Sequence, residues 1–129
     1  MQIRSAETAV FCFGVERAVS LAEQTAKSCA SAVTLGPIIH NRHVVERFEA
    51  MGLREIARAE DAQPGQTVVI RAHGIPVSEQ QTLAARGAKL VDATCPFVKK
   101  IHVIARQAEE AGRHLLIIGT PTHPEVTAI

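Results

Sequence analysis

The stretch Thr67-Val68-Val69-Ile70-Arg71-Ala72-His73-Gly74 decides the class of fold. Its first four residues are a β-branched run without polar alternation, the pattern of a central parallel strand covered on both faces. Pro64-Gly65 makes a turn before it, and Ser78-Glu79-Gln80-Gln81 after it has the spacing of a capping box for a helix through Arg86. Working outward, Ala32-Val33-Thr34-Leu35 and Leu115-Leu116-Ile117-Ile118 read as further buried strands, and Lys89-Leu90-Val91 as another strand. Helical periodicity lies between them. Val15, Val19, Ala22, Ala26 and Cys29 form one buried stripe, and Val44, Val45, Phe48 and Met51 a second on a helix opened by His40-Asn41-Arg42-His43 and closed by Gly52. Val98, Ile101, Ile104, Ala105 and Ala108 form a third, stopped by Gly112. A strand-like stretch opens the chain, and Leu53 to Ala62 fits either a short strand or a helical turn. Repeated strand and helix predict an α/β fold with a parallel sheet flanked by helices, in which ligands bind at the carboxyl ends of the strands.

Composition narrows the function. The 129 residues are 47% hydrophobic and 21% charged, enough for a core in an ordinary domain. A formal charge of +1 and 3% aromatic residues offer neither the basic field nor the stacking platforms of a nucleic-acid binder. No apolar run is long enough to cross a membrane, and Met1-Gln2-Ile3-Arg4-Ser5 lacks a basic-then-apolar signal pattern, so a cytoplasmic protein without membrane contact is expected. Three widely spaced cysteines suggest metal or redox chemistry over disulfides.

The chemistry centres on Val91-Asp92-Ala93-Thr94-Cys95-Pro96-Phe97-Val98. Thr94 is a plausible N-cap and Pro96 suits the first helical turn, so Cys95 sits at the mouth of a helix, where free N–H groups favour thiolate. Cys12 precedes its own helix in the same way, and Gly14 permits close backbone approach. Cys29, on a core stripe, is explained by packing. His40, His73, Cys95 and His123 each follow a strand, which would gather them on one edge of the sheet, with Glu125 beside His123 as a possible proton donor. His43 and His102 fall within helices, and His114 opens a strand at the opposite end. Arg42, Lys99 and Lys100 read as solvated helix faces that help attract an anion. Taken singly, a buried cysteine or an ordinary surface histidine explains each position; only their convergence points to a site.

Phe11-Cys12-Phe13-Gly14-Val15-Glu16-Arg17-Ala18, His40-Asn41-Arg42, Ala72-His73-Gly74, Asp92-Ala93-Thr94-Cys95-Pro96 and His123-Pro124-Glu125-Val126, in this order, resemble the 4-hydroxy-3-methylbut-2-enyl diphosphate reductase family. The resemblance covers nearly the whole chain. It implies an iron–sulfur reductase that removes an allylic hydroxyl with two electrons and protons, giving isopentenyl and dimethylallyl diphosphates. It further implies a [4Fe-4S] cluster on three cysteines, two matching Cys12 and Cys95, with one iron open to the substrate oxygen. By the same resemblance His40, His73 and His123 bind the diphosphate, Glu125 delivers a proton, and an external donor such as ferredoxin or flavodoxin supplies electrons. Soft thiolates suit iron–sulfur clusters, and imidazoles suit diphosphate.

Members of that family are more than twice as long and fold as three α/β lobes, the third cysteine lying in the last. Cys29 is a poor substitute, being about two dozen ångströms of helical rise from the helix start. The expectation is therefore an amino-terminal fragment: residues 1–13 an opening segment with the first cysteine loop, 14–95 the first lobe, and 96–129 the start of a second. Such a fragment is expected neither to hold a stable cluster nor to turn over substrate alone. Two other readings stay open: a zinc-dependent hydrolase using Cys12, Cys95 and a histidine, and a catalytically silent diphosphate-binding module.

Overall fold

Val33-Thr34-Leu35 is buried at every position, and so is Val68-Val69-Ile70. Strands of this kind need cover on both faces, and the computed structural model, which describes residues 2–4, 6 and 9–129, supplies it. The elements are α1 (Phe13–Ser28), β1 (Val33–Leu35), α2 (Arg42–Ala50), β2 (Arg54–Ile56), a 3₁₀ turn (Ala59–Asp61), β3 (Thr67–Ile70), α3 (Val77–Ala85), β4 (Lys89–Asp92), α4 (Pro96–Glu110) and α5 (Pro124–Thr127). The four strands form one parallel sheet in the order β2-β1-β3-β4. Alternate residues then point to opposite layers. Val69 joins Ala18, Val19 and Ala22 of α1 and Val44 and Phe48 of α2. Val68 and Ile70 join Val33, Leu35, Leu83 of α3, and Ala59 and Ala62 around the 3₁₀ turn.

The order places a topological switch between β1 and β3, because the chain leaves β1 towards β2 on one side and returns to β3 on the other. Ile56, Leu35, Ile70 and Asp92 share one register row, so all four strands end level and their following loops leave from a common edge. That edge, at the switch, is where open α/β sheets hold ligands.

Several local expectations are corrected. Leu115–Ile118 is not a strand: it is exposed, Ile118 at 92%, because a strand needs a ladder partner and none of the described residues offers one. His114 therefore opens no strand. In α4 Ala105 is buried, but Ile101 and Ile104 are about half exposed, since no described element packs on that face. The capping box at Ser78 does not form; α3 begins at Val77 after Pro76, whose fixed φ starts the helix. The N-cap of α4 is Cys95, one residue after Thr94, with Pro96 in the first turn. Thr94 is instead buried in a turn in which its N–H donates to Asp92 Oδ1 (2.9 Å). The described residues before Phe13 form no strand, and the rest of that stretch lies outside the described residues. The ambiguous segment resolves into β2 and the 3₁₀ turn. The α1 stripe is centred on Ala18, Ala22 and Thr25, while Val15, Ala26 and Cys29 pack partly buried at its margin.

Leu83 is the only long side chain of α3 that is fully buried, so it carries the docking of that helix. Leu83→Ala is expected to cost about 2–5 kcal/mol through lost transfer energy and an unfilled cavity, read as a lower urea midpoint with an unchanged slope.

Candidate functional site

Beyond the strand ends the backbone continues to be stitched together. The Ala72 N–H donates to the Ile38 carbonyl (3.1 Å), the Ala93 N–H to Ile70 (3.1 Å), and the Cys95 N–H to Ala72 (2.9 Å). These bonds tie the loop carrying His40 to the loop carrying His73, and the latter to Cys95. His40 and His73 face each other with ring centroids 4.5 Å apart. His123 completes the group at 6.2 Å from His40 and 6.0 Å from His73. It arrives as the N-cap of α5, not from a strand end.

Tautomer and charge follow from the surroundings. The Glu125 N–H donates to His123 Nδ1 (3.3 Å), so that nitrogen carries no proton and Nε2–H is left to donate. His73 Nδ1 is buried without a hydrogen-bond partner. Burial, then the neighbouring His40, pushes the His73 imidazole below the ordinary histidine range, with Glu125 opposing. The trio therefore presents a preformed group of imidazoles, His40 and His123 exposed around a partly buried His73 whose desolvation an anion would relieve.

Cys12 and Cys95 are the N-caps of α1 and α4, and neither thiol is used as a cap hydrogen bond. Both line a cavity of about 360 Å³ with His40, Asn41, His73 and Glu125, walled by apolar Phe11, Val15, Ile39 and Val98. Gly14 is what lets the two helix ends meet: a Cβ there would collide with Cys95 Sγ and stand 3.2 Å from its Cβ. Cys29 is elsewhere, at the far end of α1, with its thiol 3.3 Å from Thr67 Oγ1. Among the described residues no three His, Cys, Asp or Glu side chains are grouped to hold a metal ion, so the zinc site of Cys12, Cys95 and a histidine is not assembled.

Arg42 and Lys99 are solvated helix residues as expected, each paired with an exposed or half-exposed acid, Arg42 with Glu46 and Lys99 with Asp92. Two positioning arginines escaped the sequence reading. Arg17 donates to the carbonyls of Thr94 (3.1 Å) and Asp92 (3.3 Å), bracing the Cys95 loop. Arg71 donates to Gly74 (3.1 Å) and lies against Gly36, bracing both histidine loops. The signal for Arg71 was a charge directly after a fully buried strand; Arg17, one turn into α1, carried none.

Fold and site together define a parallel α/β lobe with an imidazole cluster and two helix-terminal thiols at its switch point. The family model described as LytB protein matches residues 3–129. The chain is 45% identical over 122 residues to a 4-hydroxy-3-methylbut-2-enyl diphosphate reductase of Aquifex aeolicus, covering 94% of this chain and 42% of that one. The reductase of Oleidesulfovibrio alaskensis is 47% identical over 131 residues, covering 100% and 46%. Among solved structures, one of (E)-4-hydroxy-3-methyl-but-2-enyl diphosphate reductase, the terminal enzyme of the non-mevalonate pathway, superposes with a TM-score of 0.81 at 44% identity, covering 95% of this chain and 44% of that chain. The Plasmodium falciparum reductase gives 0.87 at 29%, covering 95% and 39%. This chain belongs to the LytB family, and it spans less than half the length of these relatives.

Two outcomes are expected. Gly14→Ala gains helix propensity of about 1 kcal/mol, but overpacking against Cys95 costs about 1–3 kcal/mol, so urea denaturation should show net destabilisation. His73 and His102 are both held below the ordinary histidine range, chiefly by burial, so below about pH 6.5 the unfolded chain binds more protons than the folded one. Stability is therefore complete above that pH and declines as pH falls through it; the urea midpoint should be lower at about pH 5.5 than at about pH 7.5.

Proposed function

We propose that this chain is the diphosphate- and cluster-binding part of an iron–sulfur reductase acting on 4-hydroxy-3-methylbut-2-enyl diphosphate. The observation that carries the reading is the meeting of three imidazoles, 4.5–6.2 Å apart, with a cavity lined by two unengaged thiols and Glu125. His40, His73 and His123 bind the diphosphate through N–H donors. Anion binding stabilises the protonated form of His73, so binding takes up a proton. Glu125, half-buried in the cavity wall, relays a proton to the allylic carbon. The apolar wall of Phe11, Val15, Ile39 and Val98 faces the hydrocarbon part of the substrate and excludes water.

Cys12 and Cys95 suit two corners of a [4Fe-4S] cluster: both are soft donors, unengaged, and line the same cavity. The third thiolate comes from outside the described residues, since Cys29 is bound to Thr67 at the other end of α1. When bound, the cluster supplies electrons and a Lewis-acidic iron for the allylic oxygen. In the overall reaction the C–O bond breaks, a C–H bond forms, and two electrons and two protons are consumed with release of water. The electrons come from an external carrier such as ferredoxin or flavodoxin. Residues 14–95 form the first lobe, 1–13 its opening segment, and 96–129 begin a second. No helix among the described residues is long and apolar enough to cross a membrane, consistent with a reaction in the cytoplasm.

By itself this chain is expected to bind diphosphate without turning over substrate. In a chain extended through a third cysteine, anaerobic reconstitution with iron and sulfide should give a broad visible charge-transfer band, abolished by Cys12→Ser or Cys95→Ser. A colourless, iron-free product would sink the proposal. Replacing His40 or His73 by Ala should weaken diphosphate binding about tenfold or more, as loss of a charge-assisted hydrogen bond does.

A further inference from the structure

We infer that His102 is a positioning residue for His73: its ring, carried on α4, is the wedge on which the Gly74 turn rests. The inference builds on the reading of His73 as an anion-binding imidazole. It begins from two oddities. Gly74 has φ +80, and a Cβ built on it would stand 2.6 Å from His102 Cε1 and 3.4 Å from His102 Nε2 and Thr94 Cγ2. The glycine is thus required twice, by its left-handed backbone and by the ring edge beneath it. And His102 Nε2 is buried without a hydrogen-bond partner, so no hydrogen bond from that nitrogen accounts for the ring's placement.

The arrangement makes α4 a ruler. Its N-cap, Cys95, donates its N–H to the Ala72 carbonyl at 2.9 Å, on one side of His73. Seven residues further on, two helical turns along, His102 returns to the same side of the helix and touches Gly74, on the other side of His73. Between these contacts the turn is closed by its own bonds, Gly74 N–H to the Arg71 carbonyl (3.0 Å) and Arg71 Nε to the Gly74 carbonyl (3.1 Å). One rigid helix therefore holds the turn at both ends. The spacing between the Cys95 thiol and the His73 imidazole is set by α4, and the wedge fixes the second point. The flat ring edge fits under a Cα that has no side chain.

The test uses this chain and inorganic pyrophosphate as the probe, with calorimetric affinity and the imidazole proton resonances as readouts at fixed pH. His102→Ala is expected to weaken pyrophosphate binding roughly tenfold or more, because small displacements of positioned groups are costly. It should move the His73 and His40 resonances while leaving those of His43 and His114 in place. His102→Phe, which keeps a flat ring, should retain near-normal affinity. Gly74→Ala should mimic His102→Ala, and its effect should shrink in the double variant, where the clash is gone and only backbone strain is left. If His102→Ala fails to fold, His102→Phe decides: normal binding upholds the wedge, and a folded but weak binder overturns it. Unchanged affinity and unchanged His73 resonances in folded His102→Ala also overturn it. If the unsubstituted chain does not bind pyrophosphate, the diphosphate reading fails, and the resonance shifts alone decide the role of His102.

Discussion

Three backbone hydrogen bonds past the ends of β1, β3 and β4 hold the site together: Ala72 to Ile38, Ala93 to Ile70, and Cys95 to Ala72. They depend on parallel pairing in a register that ends the strands level, with Leu35 opposite Ile70 and Ile70 opposite Asp92. A one-residue slip would invert which side of each strand faces the core, and buried faces on both sides of the sheet forbid it. The loops bearing His40, His73 and Cys95 thus inherit their mutual placement from the hydrophobic core. Loops are ordinarily the least constrained part of a fold. Here they are extensions of its most constrained part.

The same economy governs the thiols. Cys12 and Cys95 occupy equivalent places at the start of two long helices, and Gly14, two residues after Cys12, leaves the room that the Cys95 side chain fills. Arg17, on the helix of Cys12, holds the carbonyls of Asp92 and Thr94 beside Cys95, so each thiol-bearing segment is braced by the other. His73 is placed where burial keeps its imidazole neutral, at a cost that a bound anion would offset. Such stored desolvation is a common mark of sites prepared for a charged ligand.

The exposed face of α4 and the open Leu115–Ile118 run contrast with this order. Both have the composition of interior elements. An apolar face and a strand-forming run are statements about a partner as much as about the residues themselves.

That contrast separates what was legible in the sequence from what was not. Periodicity and turn residues determined the parallel α/β class, three of the four strands of the sheet (β2 stayed ambiguous), the core of α1 and α2, and the helix-mouth positions of Cys12 and Cys95, because those properties are local or depend only on which face is apolar. The rule that loops follow strand ends sufficed to bring His40, His73 and Cys95 together. The tertiary structure alone decided that Leu115–Ile118 stays unpaired, that the α4 stripe is open, that Lys99 is taken by Asp92, that His123 enters as a helix cap, and that Arg17, Arg71 and His102 brace the loops. Each of these depends on what stands opposite a residue in space, and hydrogen-bond partners, covering faces and ring-to-glycine contacts join positions whose separation along the chain carries no periodic signal.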